Sequence, residues 1–234
     1  MKELNITRMN KSSDEFVRRK LEQFDHQANL VNRGNYQYYG YLWVGSHMQR
    51  MTFLFDTGSP WTWVPSIRCP DDQCRGDHYD YSKSTGFKSS NKKDEVTYGM
   101  GRIHGVVVND DIAISEDPET MAHDVNFISV ISASQLDTLE SDGLLGLSPK
   151  TYRKGASGEE IHLLVNELKE SGVIDRSMFA IYLADERRKS FAHFGGYDGQ
   201  IVNESLRERE AEGHNTSDSE NGVYWTEINS EVHW

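Results

Sequence analysis

The sequence is poor in the features that mark several broad classes of protein. Positive charge is in the minority, with 25 lysines and arginines against 37 acidic residues in 234, and this balance repels the phosphates of nucleic acids. No apolar run approaches the roughly 18 residues that a membrane-spanning helix needs. These shortages argue against a nucleic-acid partner and against a membrane span.

Cysteine is scarce as well, because the chain contains only Cys69 and Cys74. The nine histidines are scattered without the spacing of metal ligands, so we expect neither a metal nor a cofactor. The first residues, MKELNITRMNKSS, lack the apolar core of a secretory signal, which favours the cytosol. The two neighbouring cysteines and four Asn-x-Ser/Thr sequons fit an oxidising compartment instead. Composition therefore leaves the compartment open.

The N-terminal part of the chain has helical patterning. Ser12 and Glu15 are spaced as a capping box at the start of a predicted helix over residues 12 to 30. The helix is charged on most sides. We therefore assign residues 1–32 to a separate charged helical segment.

The middle of the chain is rich in predicted strands. From Tyr36 to about Ile114, short apolar or alternating runs are broken by Gly, Asn and Asp. A helix is predicted from Glu159 to Ser171, closed by Gly172, and the strands MFAIYLA and FAHFGG follow it. We assign residues 33–202 to one β-rich domain.

The last part of the chain divides in two. Residues 203–222 contain almost nothing that could enter a core, so they predict a solvated loop or linker. Residues 223–234 look like a strand that begins another unit. Because a chain seldom stops within a strand, we expect the sequence to be truncated there.

One acid stands in unusual surroundings. The stretch FLFDTGSPWTWVPS, residues 53–66, places Asp56 between an apolar run and a glycine turn. A buried carboxylate needs hydrogen-bond donors, and Thr57, Gly58 and Ser59 offer backbone N–H groups and two hydroxyls. An isolated Asp-Thr-Gly would more often be an ordinary turn.

More than three residues match a known pattern, however. The stretch FDTGSPWTWVPS resembles the N-terminal active-site segment of the pepsin-like aspartic proteases. CPDDQC, VTYGMGRIHG, SDGLLGLSP and the strands MFAIYLA and FAHFGG resemble later segments of that family, in the same order, so that the resemblance covers about residues 36–234. It implies a mainly β fold, a lobe of closed or orthogonally packed sheets with short helices, within an incomplete two-lobed architecture.

The resemblance also assigns roles to particular residues. It implies that Asp56 is catalytic and that Thr57, Gly58 and Ser59 form the active-site turn. It implies a flap over the substrate, formed by Tyr98, Gly99 and Met100 and held by Trp63. It also implies a small disulfide loop between Cys69 and Cys74. Each has a plainer alternative. Tyr98 could be an ordinary exposed hairpin residue, Trp63 could serve the core alone, and the two cysteines could be free thiols. Gly143 and Gly146 suit close packing against the catalytic turn.

Two departures from the family pattern stand out. Met100 and Arg102 occupy flap positions where the family more often has small or hydroxyl residues. Residues 5 to 30 faintly resemble the family's basic inhibitory pro-segment, without a clear match to its blocking lysine. The resemblance implies a secretory, lysosomal or vacuolar location, although the chain has no visible signal peptide.

The family's chemistry needs two carboxylates around one water, and the sequence contains a single Asp-Thr/Ser-Gly motif. Three hypotheses follow. The chain could be an incomplete aspartic endopeptidase that acts on peptides or proteins once a C-terminal lobe is present. It could instead be a non-catalytic, peptide-binding pseudoprotease lobe. The third hypothesis, a half that builds its dyad from two copies, is the least favoured, because the retroviral proteases that do so are much smaller.

Overall fold

The chain folds mainly into β-strands, as the sequence predicts. The computed structural model describes residues 26–99, 101–148, 161–184 and 189–199. Within these ranges the strands are β1 Gln27–Arg33, β2 Gln37–Val44, β3 Gln49–Asp56, β4 Trp63–Pro65, β5 Lys88–Tyr98, β6 Gly101–Ala113, β7 Met121–Ser134, β8 Gly143–Gly146, β9 Phe179–Tyr182 and β10 Ser190–Phe194. One α-helix, α1, spans Leu164–Glu170.

All ten described strands belong to one sheet. Their order is β5-β6-β7-β4-β8-β3-β2-β1-β10-β9, and β6 also pairs with β2. This extra pairing joins the two ends of the run β2-β3-β8-β4-β7-β6, so six strands form a closed circuit. Most neighbours are antiparallel, whereas β3 with β8 and β4 with β7 are parallel. The predicted mainly β lobe with a short helix is confirmed.

The strands form where apolar residues alternate along the chain. In β3, Met51 and Phe53 are buried on one face, while Thr52 and Leu54 lie half-buried on the other. The buried side chains make two hydrophobic clusters. The second cluster includes Trp61, and its further buried members are Trp63, Cys69, Cys74, Ile103, Val107, Ile128, Val130, Ala133, Leu144 and Ile161.

The helix predicted over residues 12 to 30 is wrong at its C-terminal end. Residues 27–30 belong to β1, which pairs with β2 through Leu30 and Gly40 and with β10 through Gln27 and His193. Ala28 and Leu30 are both buried, so burial follows a period of two, and pairing on both sides overrides helical propensity. Residues 27–32, which we assigned to the N-terminal segment, therefore contribute to the sheet. Residues 1–25 lie outside the described residues.

The second helix is shorter than predicted. It begins at Leu164 rather than Glu159, and no side chain caps its N-terminus at Leu163. Ile161 is not helical and is buried in the second cluster, whereas Leu164 is buried in the first. The two residues, which the sequence predicts to lie in one helix, thus pack against two different clusters.

The end of α1 is as predicted. Gly172 follows the helix with φ 75°, a left-handed conformation that glycine adopts without steric cost. The Gly172 N–H donates to the Lys169 carbonyl (3.0 Å) and the Val173 N–H donates to the Leu168 carbonyl (2.9 Å). This pair of bonds is a Schellman motif.

Cys69 and Cys74 form a disulfide, which confirms the pairing that the family resemblance implied. Both are buried in the second cluster.

None of the helices in the described part of the chain could span a membrane. Met100, the predicted linker over residues 203–222 and the strand-like residues 223–234 lie outside the described residues.

We predict that the Cys69–Cys74 bond forms in the purified protein and stabilises it modestly. Thiol counting on the denatured, unreduced chain should find no free thiol. Changing both cysteines to serine should lower the free energy of unfolding by about 2 kcal/mol, because the bond closes a short loop. Denaturant unfolding measures this change. Two titratable thiols per chain would contradict the prediction.

Candidate active site

Asp56 lies at the very end of β3, where the chain leaves the sheet. It pairs with Gly146 on the parallel strand β8, and its backbone carbonyl accepts the Leu147 N–H at 2.8 Å. The carboxylate is half-buried, and its Oδ1 accepts the Gly58 N–H at 2.8 Å. The turn predicted from the sequence therefore supplies a backbone donor to the acid, as expected.

Two glycines of β8 allow neighbouring backbone to lie directly against this strand, and Gly146 is the one that faces the turn after Asp56. A Cβ atom on Gly146 would be 2.5 Å from the Pro60 carbonyl carbon and oxygen, so no side chain fits there. The Ser148 N–H also donates to the Ser59 carbonyl at 3.1 Å. A Cβ atom on Gly143 would likewise be 2.3 Å from the Trp63 carbonyl oxygen and 3.3 Å from Val64, both on β4. The close packing expected against the turn is present at Gly146, whereas Gly143 packs against β4 instead.

Thr62 is a member of this site that sequence reasoning missed. Its side chain is buried, and its hydroxyl oxygen accepts the Gly146 N–H at 3.2 Å. The bond ties the segment after the turn to β8. A threonine between two tryptophans carries no sequence signal for this role, since the pairing depends on a strand 84 residues away.

The Asp142 carboxylate makes structural hydrogen bonds. Its Oδ2 accepts the Thr52 N–H (2.8 Å) and the Thr52 hydroxyl (2.6 Å), and its Oδ1 accepts the Asp77 N–H (2.9 Å). These bonds join β3, the loop before Tyr79 and the start of β8. The carboxylate is thus engaged on both oxygens.

The flap predicted around Tyr98 is a hairpin of β5 and β6, here called the flap hairpin, with Gly99 at its tip. Tyr98 pairs with Gly101 across the turn. The Tyr98 hydroxyl accepts the Trp63 indole N–H at 3.0 Å and lies 3.4 Å from the Ser59 hydroxyl. The structure therefore brings together Tyr98, Trp63 and Ser59, which the sequence predicts for a flap, its support and an active-site turn.

The surroundings of the Tyr98 hydroxyl favour its protonated form. Burial is the main cause that raises the pKa of the Tyr98 hydroxyl to about 12; the negative charge of Asp56 acts in the same direction, and the hydrogen bonds with Ser59 and Trp63 oppose the shift. The hydroxyl consequently stays protonated at acidic and neutral pH. It can donate a hydrogen bond towards the space above the turn while it accepts one from the indole.

Arg102, one of the departures from the family pattern, contacts its own hairpin. Its Nε lies 3.2 Å from Glu95 Oε1, and His104 Nδ1 lies 3.2 Å from the other carboxylate oxygen of Glu95. All three side chains are well exposed. Among the described residues no cluster of three or more His, Cys, Asp or Glu side chains could hold a metal ion.

Comparison with known proteins agrees with this geometry. Residues 37–225 match the family model described as eukaryotic aspartyl protease. The chain therefore belongs to the eukaryotic aspartyl protease family, and the resemblance noted in the sequence is confirmed.

Curated relatives are proteases of this family. Plasmepsin IV of Plasmodium falciparum is 32% identical over 195 residues, which cover 79% of this chain and 40% of the plasmepsin. Pepsin A of Gallus gallus is 28% identical over 221 residues, covering 91% of this chain and 52% of the pepsin. Chymosin of Callithrix jacchus is 30% identical over 181 residues, covering 76% and 45%. The chain spans about half, or less, of the length of these relatives.

We predict that Gly146→Ala destabilises the fold by about 1–3 kcal/mol, because the added methyl group would clash with the Pro60 backbone. Gly99→Ala is the control, since a Cβ at Gly99 would meet nothing within 4 Å. Urea unfolding followed by tryptophan fluorescence measures both. Equal midpoints for the two variants would show that the turn and β8 are not in close contact.

A second prediction concerns Tyr98→Phe and pH. Because the pKa of Tyr98 is about 12 in the folded chain and about 10 when unfolded, the folded state holds its proton longer, and its stability falls as pH rises from 10 towards 12. Phenylalanine has no such proton. The stability advantage of the wild type over the variant should therefore shrink across this range in urea titrations. A difference that stays constant with pH would contradict the shift.

Proposed function

We propose that this chain is the lobe of an aspartic endopeptidase that supplies one of two catalytic carboxylates, Asp56. The supporting observation is the arrangement of Asp56 at the end of β3, held by the Gly58 N–H at 2.8 Å, beside a flap tyrosine whose hydroxyl is fixed by Trp63 at 3.0 Å. Thr57 and Ser59 complete the turn.

The chemistry assigned to Asp56 is activation of water. In a carboxylate pair a few ångströms apart, like charges do not both ionise, so the two groups share a proton. The ionised one takes a proton from water as the water attacks the peptide carbonyl, and the protonated one hydrogen-bonds the carbonyl oxygen. With Oδ1 of Asp56 accepting the Gly58 N–H, Oδ2 is the oxygen that would hold the water.

The substrate of such a site is an extended peptide between the turn and the flap hairpin. Tyr98, Gly99 and Met100 would cover it. Four further half-buried apolar side chains pack, like Tyr98, against the second cluster, namely Leu54, Val96, Leu136 and Leu139. Their character favours cleavage next to apolar residues.

The second carboxylate is not provided by a matching motif in these 234 residues, because Asp-Thr-Gly occurs once and Asp-Ser-Gly does not occur. Asp142 is no substitute, since its two oxygens are engaged by Thr52 and Asp77. We therefore assign the second carboxylate to a C-terminal lobe that completes the cleft.

The alternative is a peptide-binding pseudoprotease lobe with no chemistry. It shares the flap hairpin and the cleft, so the two functions differ only in whether a second acid faces Asp56. Downstream transcript sequence discriminates between them. An in-frame Asp-Thr/Ser-Gly favours the endopeptidase.

The test is hydrolysis of a fluorogenic peptide at about pH 4 by a chain that includes the second motif. We predict that Asp56→Asn lowers kcat/KM by roughly a thousandfold or more, because loss of one member of a catalytic unit has effects of this size. Asp72→Asn, at an exposed position, is the matched control and should retain activity. Equal activity of the Asp56→Asn and Asp72→Asn chains would exclude Asp56 from catalysis.

The 234-residue chain alone should hydrolyse the same peptide little or not at all, because it offers one carboxylate where two are needed. A statine-type inhibitor should then leave any residual signal unchanged. Inhibitable activity from this chain that disappears on Asp56→Asn would show instead that the lobe assembles a dyad from two copies.

A further inference from the structure

The loop between β7 and β8 carries two of the apolar side chains that favour apolar residues in the substrate. Residues 135–142 form this connection, here called the β7–β8 loop, and contain neither a helix nor a strand. Leu136 and Leu139 on the loop pack against the second cluster, as Tyr98 of the flap hairpin does. Because the loop lacks the hydrogen-bond ladder of a strand, contacts from other elements fix its position.

Gln37, the first residue of β2, is a buried polar side chain that bonds to this loop twice. It is 6% exposed. Its Nε2 donates to the Thr138 carbonyl at 2.8 Å, and its Oε1 accepts the Glu140 N–H at 3.2 Å. These partners lie 101 and 103 residues away along the chain. Gln37 therefore joins the start of β2 to the β7–β8 loop.

The two bonds require an amide side chain. Thr138 offers a carbonyl that needs a donor, whereas Glu140 offers an N–H that needs an acceptor, and a glutamine side chain provides both at once. An ionised carboxylate only accepts hydrogen bonds, and an apolar side chain does neither. Removal of the amide therefore leaves two backbone groups of the loop without these partners, which weakens the attachment of the loop to β2.

Ion pairs at the surface are weaker anchors for the same loop. Arg33 Nε lies 3.6 Å from Glu140 Oε2, and a guanidinium nitrogen of Arg75 lies 3.3 Å from Asp137 Oδ1. All four side chains are at least 40% exposed, and exposed pairs of this kind contribute little to stability. The buried contact that secures the middle of the loop is that of Gln37.

We propose that Gln37 is a positioning residue for substrate recognition. By holding Thr138 and Glu140, it keeps Leu136 and Leu139 against the second cluster, where they meet the apolar side chains of the peptide. Gln37 acts through the loop and does not touch the substrate. This inference rests on the proposed function, because it assigns the β7–β8 loop to the peptide-binding cleft.

The chain contains a matched control at the other end of the β2–β3 hairpin. Gln49 Nε2 donates to the Asp80 carbonyl at 2.9 Å, and Gln49 Oε1 accepts the Asp80 N–H at 2.9 Å. The same type of side chain thus makes the same pair of bonds to a different segment. Gln37→Met and Gln49→Met each remove one such pair and keep an unbranched side chain.

Amide hydrogen exchange in the 234-residue chain measures the attachment of the loop and needs no activity. Gln37→Met should speed exchange of the Glu140 amide by about tenfold or more, because this amide loses its acceptor. Gln49→Met should leave the Glu140 amide at the wild-type rate and speed exchange of the Asp80 amide instead. Unchanged exchange at Glu140 in the Gln37→Met chain would overturn the proposal.

Peptide affinity tests the consequence for substrate recognition. The measurement uses the chain that includes the second motif, with Asp56→Asn in every variant, so that no peptide is cleaved; this chain is the parent. Gln37→Met should weaken binding of a fluorescent peptide with leucine or phenylalanine beside the scissile bond by about fivefold or more. The effect should be smaller for a peptide with alanine at those positions, and Gln49→Met should bind both peptides like the parent.

Each outcome of the affinity titrations has a separate meaning. Equal affinities of the parent and the Gln37→Met chain for the apolar peptide would overturn the positioning role. The proposed function fails on a different result, namely when the chain with an intact Asp56 and a second motif hydrolyses no peptide. The two failures are therefore distinguishable.

A pH-dependent rescue separates positioning from a general loss of stability. Gln37→Glu introduces a carboxyl that both donates and accepts when protonated but only accepts when ionised. An ordinary glutamate titrates at about pH 4.3, and burial raises that pKa. The affinity of this chain, divided by that of the parent, should therefore approach one at low pH and fall as the pH rises to neutrality.

The Gln37→Met chain should bind weakly at every pH, since it has no group to protonate. Unfolding midpoints verify that both variants fold, and if Gln37→Met does not, the Gln37→Glu chain decides alone. A ratio of affinities that stays constant with pH in the Gln37→Glu chain would overturn the proposal.

Discussion

The contact between β8 and the turn after Asp56 is the constraint on which the rest of the site depends. Because Gly146 carries no side chain, the Pro60 backbone lies so close to it that an added methyl group would collide with the Pro60 carbonyl. The parallel pairing of β3 with β8 then fixes where β3 ends. Asp56 takes its position from this pairing, and Thr62 holds the returning chain to the same strand.

The flap is supported from the same lobe in two ways. At its tip, Trp63 fixes the Tyr98 hydroxyl. At its base, the 13-residue strand β6 continues from the flap into the pairing with β2 that closes the six-strand circuit. Movement of the flap therefore breaks a defined hydrogen bond while its base stays part of the closed sheet. The position of Tyr98 relative to Asp56 is consequently a property of this lobe alone.

Features with a local sequence signal could be predicted, whereas features that depend on long-range contacts could not. Asp56, its turn and Tyr98 could be found because their motifs are short and continuous, and Gly172 because a helix end has a local signature. The strand at residues 27–30 could not, since its partners lie on β2 and on β10, more than 150 residues away. Thr62 and the bonds of Asp142 were missed for the same reason, because each depends on a strand that sequence spacing does not reveal.

Strands β5 and β9 are the edge strands of the described sheet. Edge strands have unpaired backbone groups, through which separate chains can pair and aggregate. Strand β9 is only four residues long, which limits such pairing. Strand β5 carries Lys88, Lys92 and Lys93, and its register shifts between Ser89 and Lys93. Lysines and an irregular register both discourage a second chain from adding to an edge. Strand β5 therefore does two things: it carries Tyr98 at one end, and its lysines and irregular register protect the exposed edge of the flap hairpin against aggregation.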